Sequence, residues 1–451
     1  MWIERPEKKE KFINDLLGLD RQVLIVRGAR QVGKTSFILN ALKGLSDYPM
    51  IMLNLLYPSS FKLGDVQYLG RDFLGTSETG ETFLKNIELK TGGIQGLKKP
   101  LIVFIDEADR YPMVLESIQT LAQFSDRIKF VLTGSNLENL PVKNAATGRK
   151  KTFDLFPITF LEFVHASGNL EVLNCLKTCS LKNLPTEFYH EQARKHLQTY
   201  LRLGGMPKII DIYLSEKMGN QIPEMIKDLV FTIEENVKTI LGEKSKLYEY
   251  EDVLRKMAYL SMNTLKYSQL QVQHAGRNEA KKLVSKTVGA RVAHKIRLME
   301  AERDLSKYIL FDCGITNFLL NGSDLLNVRI HEKNMAILYE TLVGVELIAN
   351  LVTRDDLFYW KSENKAEVEY ILKSPFVGVD VKSKRGDNKS LNSFALLEPK
   401  VACLIKICDA MPKLDTYYIA KIPTSHKSRS VPFLTLPHYL TCRLLDFLRE
   451  V

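Results

Sequence analysis

The chain has 451 residues, 45% apolar and 26% charged, with a formal net charge of +10. That composition belongs to a globular protein of about three domains of ~150 residues each. It excludes a membrane span, because no apolar run approaches the ~18 residues required. The opening Met1-Trp2-Ile3-Glu4-Arg5-Pro6 has no apolar core and is not a signal peptide. Six scattered cysteines without a C-x-x-C pair read as thiols of a reducing compartment, so the expected location is cytoplasmic. The positive surplus suits a polyanionic partner such as nucleic acid. A solvated lysine-rich surface accounts for the same number.

Residues 1 to about 165 alternate strand and helix, the pattern of a parallel α/β sheet. Strands are expected at Val23–Val26, Met50–Leu55, Leu101–Ile105 and Lys129–Leu132. Between the last two, the apolar positions of Val114–Ala122 fall on one helical face. The first strand runs into Gly28-Ala29-Arg30-Gln31-Val32-Gly33-Lys34-Thr35, followed by Ser36 and a helix-compatible Phe37–Leu42. This is G-x-x-x-x-G-K-[ST] between strand and helix, the context the motif requires. Glycines let the backbone wrap phosphate oxygens, and the following helix turns its positive end toward them. Lys34 reaches the β- and γ-phosphates, and Thr35 offers a hydroxyl to Mg2+. A glycine-containing turn without a ligand is the bland alternative. The motif in this setting predicts binding of ATP or GTP.

The strand Leu101–Ile105 ends in Asp106-Glu107. In such an ATPase Asp106 holds Mg2+ and Glu107 polarises the attacking water; a solvated strand end is the alternative. Phe130-Val131-Leu132-Thr133-Gly134-Ser135-Asn136 also ends in small polar residues, where strand C-termini gather round a nucleotide. Ser135 or Asn136 is a candidate to contact the γ-phosphate or orient the water, with a plain polar turn as the other reading. Arg149, after Gly148, is the candidate arginine finger, or else a surface arginine.

The loop resembles the G-P-R-Q-V-G-K-T form of the P-loop, with Ala29 replacing proline. Asp106–Pro112 is similar to D-E-x-Q-x-x-P, Thr133-Gly134-Ser135 to T-G-S, Thr147-Gly148-Arg149 to A-G-R, and Leu155–Phe163 to L-x-P-L-S-F-x-E-F. Gly204-Gly205-Met206-Pro207 resembles G-G-F-P, and Lys307–Gly314 resembles K-x-Y-x-x-D-x-G. Together these motifs resemble the AAA+-like prokaryotic ATPases that carry a C-terminal domain of unknown function. The resemblance implies a P-loop core, a helical middle and a winged-helix-like segment before the tail.

Residues 166 to about 310 are helical in pattern with few strand signals. From Lys266 to Lys307 there are ten basic residues (Lys266, Arg277, Lys281, Lys282, Lys286, Arg291, Lys295, Arg297, Arg303, Lys307) against four acidic ones (Glu279, Glu300, Glu302, Asp304). Such a run suits contact with the phosphates of double-stranded DNA; a solvated face is the alternative.

From about residue 320 the pattern becomes helix, strands, helix. The helix is Ala336–Leu347 and the strands are Leu357–Trp360, Val368–Leu372, Val377–Val381 and Val401–Ile407. Tyr439–Val451 reads as an amphipathic helix with Leu440, Leu444, Leu445 and Leu448 on its apolar side. Period-two alternation puts Asp380 and Lys382 on one face, with Glu369 across the ladder and Glu340 arriving from the helix. Carboxylates plus a lysine are what metal-assisted phosphodiester hydrolysis needs. The tail resembles a restriction-endonuclease core with a D…(D/E)-x-K signature, although Glu369 stands where Asp is usual and Asp380 where Glu is usual.

The expected fold is α/β: an AAA+-like P-loop core over 1–165, a helical lid or linker over 166–240, a winged-helix-like segment over 241–318, and a smaller restriction-endonuclease-like α/β domain over 319–451. The expected function is binding and hydrolysis of ATP with Mg2+ by a DNA-associated protein, possible as a homo-oligomer with Arg149 acting in trans. An ATP-gated metal-dependent nuclease, or a nucleotide-controlled switch for a protein partner, are the alternatives.

Overall fold

The structure is a computed structural model describing residues 3–75, 81–111, 122, 126–134, 137, 149–215, 221–241, 248–270, 277–300, 305–322, 330–350, 356–384, 386–419 and 429–451. The chain divides into two compact units, Glu4–Phe156 and, together with the N-terminal Met1–Ile3, Pro157–Val451.

The first unit contains strands β1 (Val23–Arg27), β2 (Met50–Asn54), β3 (Phe61–Leu63), β4 (Val66–Tyr68), β5 (Leu101–Asp106), β6 (Ile128–Thr133) and β7 (Lys150–Asp154). Five form a parallel sheet in the order β2-β5-β6-β1-β7. Every residue of β5 and β6 is buried, as central parallel strands covered on both faces must be. All four expected strands are present. Strand β7 was not foreseen: Lys-Lys-Thr-Phe-Asp carries little apolar pattern, and it forms as a sheet edge tied down by the Arg27–Asp154 ion pair at 2.7 Å. The β3–β4 hairpin was also missed, being two three-residue strands held by a parallel stack of Phe61 on Tyr68 at 5.2 Å. The helix expected at Val114–Ala122 lies outside the described residues except for Ala122.

The second unit opens with helices and ends in a mixed sheet. Its strands are β8 (Ala293–Leu298), β9 (Ser306–Leu310), β10 (Leu357–Lys361), β11 (Glu367–Lys373), β12 (Phe376–Val381), β13 (Cys403–Ile407), β14 (Lys413–Ile419) and β15 (Arg429–Leu436). Their order is β14-β15-β13-β12-β11-β10-β8-β9. Two features depart from expectation. The middle of the chain contains a hairpin, β8–β9, and β8 pairs in parallel with β10, so residues before 318 share a sheet with the tail. The end is not one long helix: a 3-10 turn over His438–Arg443 precedes a short helix, Leu444–Leu448. Pro437 leads into the turn, and His438 is held in place by the Lys382 carbonyl at 3.0 Å and by stacking on Tyr339. Leu440, Leu444 and Phe447 are buried, together with His438, Tyr439 and Thr441 of the turn.

Two of the motifs quoted above meet in this unit. Asp312 caps the helix Cys313–Asn321 by accepting from Ile315 N at 2.9 Å, and its other oxygen accepts from Gly205 N at 2.6 Å. The backbones are so close that a Cβ on Gly314 would lie 2.1 Å from Leu203 O. Burial raises the Asp312 carboxyl to about 6 against the lowering effect of the amides. No helix among the described residues is long and apolar enough to cross a membrane, and no disulfide forms among them.

Candidate functional site

The loop after β1 turns sharply because Gly28 packs against β7's exit: a Cβ there would lie 2.3 Å from Leu155 O. Gly33 adopts a left-handed φ of 85° and caps the helix Lys34–Lys43, a conformation that glycine takes without steric cost. That helix anchors itself by burying Phe37, Ile38, Ala41 and Leu42. Lys34 is therefore buried at the helix start, and its Nζ donates to Gly28 O and Ala29 O, both at 3.0 Å. Burial lowers its ammonium to about 8, opposed by the charges of Glu107, Asp109 and Asp106.

Opposite the loop, β5 delivers Asp106 at its C-terminal end. Thr35 Oγ1 lies 3.2 and 3.1 Å from the two Asp106 oxygens, Asn54 Nδ2 donates to Oδ2 at 3.3 Å, and Glu107 N donates to Oδ1 at 3.0 Å. Burial and the Glu107 charge raise Asp106 to about 6, against the lowering effect of the Thr35 bond. Glu107 takes a left-handed φ of 54°, and its carboxyl is raised by burial and by Asp109. A Cβ on Gly134 would lie 2.2 Å from Asp109 Oδ1, so the glycine after β6 leaves room for that carboxylate. A hydroxyl and a carboxylate side by side are the hard oxygen donors Mg2+ takes, and a neighbouring carboxylate with a raised pKa is able to accept a proton.

The structure thus brings Lys34, Thr35, Asp106 and Glu107 together. Ser135 and Asn136 lie outside the described residues. Arg149 is not at this site: its carbonyl accepts from Val23 N, at the start of β1, whereas the loop follows the end of β1. Five residues of strand separate them, about 16 Å. Asn54 and Tyr68 were missed by the sequence reading. Nothing local marks them: Asn54 bonds Asp106 from the end of β2, and Tyr68 is buried at the end of the β3–β4 hairpin.

Residues 20–164 match a protein family described as AAA domain. This part of the chain is an AAA domain. No curated protein matches the chain. Among solved structures the chain is similar to the Aeropyrum pernix ORC1 protein in complex with DNA, at 14% identity, TM-score 0.29, covering 71% of this chain and 92% of that one. It is similar to Drosophila ORC bound to DNA at 12% identity and TM-score 0.28, covering 71% and 87%. It is similar to the Pif1 helicase from Candida albicans at 16% identity and TM-score 0.26, covering 43% and 48%, so it spans about half of that chain. Scores this low carry no functional argument; the AAA domain rests on the family match and the site.

Outside the AAA domain, the second expected cluster also assembles. Lys382 Nζ donates to Asp380 Oδ1 at 2.8 Å, and Glu369 Oε2 accepts from Val381 N at 3.3 Å. Burial and the charges of Asp380 and Glu340 push Glu369 well above the usual carboxyl range. Burial raises Glu340 to about 7, opposed by Lys307 and Lys382. Lys307, fully buried on β9, joins from the middle of the chain: it is paired with Glu367 and lies 4.6 Å from the Tyr359 ring centroid. Among the described residues no group of three or more His, Cys, Asp or Glu could hold a metal ion. Glu340, Glu369, Asp380 and Lys382 thus come together, with Lys382 ion-paired to Asp380 and Glu369 bonded to the Val381 amide.

The basic run is thinner on the surface than in the sequence. Lys307 and Arg291 are buried, while Lys266, Lys281, Lys282 and Arg297 are exposed. Residues 271–276 and 301–304, with Arg303, lie outside the described residues.

Proposed function

We propose that the AAA domain binds ATP with Mg2+ and hydrolyses it. The observation that carries this reading is the Thr35–Asp106 pair, which sets two oxygen donors beside a buried lysine and a second carboxylate. The loop Gly28, Ala29, Arg30, Gln31, Val32, Gly33, Lys34, Thr35 and Ser36 holds the phosphates, with Lys34 neutralising their charge. Thr35 and Asp106 hold the cation. Mg2+, when bound, supplies positive charge to the phosphoryl oxygens. Glu107 orients the attacking water and accepts its proton. Ser135 or Asn136 contacts the γ-phosphate. Arg149 lies too far from its own loop for this work, so in this reading it acts on a second copy of the chain, in a homo-oligomer. Lys34→Ala is expected to lose nucleotide affinity by ~100-fold or more; unchanged affinity removes the assignment.

In the same reading the second unit ties the ATPase to DNA. Residues 166–240 act as lid or linker, 241–318 as a winged-helix-like segment and 319–451 as an endonuclease-like domain. The helix Arg277–Gly289 offers the exposed Lys281 and Lys282 to phosphates. A second reading, a metal-dependent nuclease gated by ATP, is favoured by one observation: Asp380 is buried, and its Oδ2 has no hydrogen-bond partner among the described residues. Duplex cleavage with Mg2+ that Asp380→Ala abolishes supports it; absence of cleavage by the intact chain removes it.

A further inference from the structure

The arm between β2 and the helix Glu81–Thr91 folds back onto Asp106. Asn54 and Asp106 are register partners at the ends of β2 and β5, and Leu55 N donates to Asp106 O at 3.1 Å. The return of the arm is fixed by Asn54 N donating to Leu69 O at 3.0 Å. Asn54 Oδ1 accepts from Leu56 N at 3.0 Å. With its oxygen committed there, the amide can only turn its NH2 toward Asp106.

Around Asp106 the donors divide the work. Thr35 Oγ1 is nearly equidistant from both carboxylate oxygens and so does not choose between them. Glu107 N bonds Oδ1 alone, and Asn54 Nδ2 bonds Oδ2 alone. Tyr68, the last residue of β4, is buried, and its hydroxyl has no hydrogen-bond partner among the described residues. A buried, unpartnered phenol is costly; the next residue, Leu69, returns the chain to β2 by accepting from Asn54 N.

We propose that Asn54 is a positioning residue for Asp106, so that the arm it opens, residues 55–70, sets how strongly Mg2+ is coupled to nucleotide binding. This rests on the nucleotide reading above. Groups that orient a metal ligand without touching the metal change its affinity by about 10- to 100-fold. The test measures affinity of the full chain for adenylyl imidodiphosphate in excess Mg2+ and in EDTA, and takes the ratio. Asn54→Ala is expected to reduce the ratio about tenfold while leaving the EDTA affinity unchanged. Tyr68→Phe, which removes an oxygen with no hydrogen-bond partner among the described residues and keeps the stacked ring, is the control and is expected to leave the ratio unchanged. An unchanged ratio in Asn54→Ala overturns the proposal, as does an equal loss in both buffers, the mark of simple structural damage. Wild type that binds in neither buffer overturns the nucleotide reading itself, and this proposal with it.

Discussion

Two clusters of carboxylates and lysines occur in this chain, and they are built on opposite plans. In the AAA domain, Asp106 is held by neutral donors from Thr35, Asn54 and the Glu107 amide, while Lys34 is kept apart on two carbonyls. Around Asp380 the lysines are spent on the carboxylates: Lys382 on Asp380 and Lys307 on Glu367. Neutral donors leave a carboxylate its charge for a ligand. Ion pairs consume that charge within the fold, and breaking a buried pair leaves an uncompensated ion. The first arrangement is suited to binding, and the second is bound into the stability of its own unit.

The contrast predicts where substitutions hurt. Lys307→Ala leaves Glu367 to Lys361 alone and takes from Glu340 one of its two nearby lysines, and is expected to cost about 3 kcal/mol of stability, read by denaturant unfolding. Lys34→Ala, lowering desolvation cost, is expected to leave stability near wild type, and a large loss there would erase the distinction. Gly314→Ala pushes a Cβ into Leu203 O and is expected to cost about 2–4 kcal/mol, independently of either cluster.

Protonation sharpens the comparison. Glu340 stands at about 7, above its ordinary 4.5. The folded state therefore binds this proton more tightly than the unfolded state. Its contribution to stability is fully present below pH 4.5 and is lost as pH rises through 7. Glu340→Gln is expected to flatten that part of a calorimetric stability profile; an unaltered profile would contradict the assigned environment. Asp106, raised to about 6 from 3.8, acts in the same direction over a lower window. The smallest effect is expected at the surface. If Lys281 and Lys282 contact phosphates, replacing both with Ala lowers the salt slope of DNA affinity by about two.

The AAA domain was legible because its chemistry is contiguous. A glycine-lysine-threonine loop and an apolar strand ending in Asp106-Glu107 each state their role within a few residues. What escaped was everything set by tertiary contact. Asn54 is an ordinary strand end until the sheet brings it to Asp106, and Lys-Lys-Thr-Phe-Asp becomes a strand only beside β1. In the tail, alternation placed Asp380 with Lys382, and the expected ladder and helix brought in Glu369 and Glu340. That pattern did not reveal Lys307, which arrives from a hairpin some sixty residues upstream of Glu367 and ion-pairs within the cluster. The final helix failed because the lysine carbonyl and the Tyr339 ring that hold His438 are distant in sequence.

The central claim is tested most directly by steady-state ATP hydrolysis of the full chain, with and without duplex DNA, beside Glu107→Gln. The account predicts Mg2+-dependent turnover that falls by about 100-fold or more in the variant while nucleotide affinity is retained, and stimulation by DNA. Stimulation would join the basic helix to the ATPase, and turnover indifferent to DNA would move the partner to a protein. Equal turnover in wild type and Glu107→Gln would contradict the account.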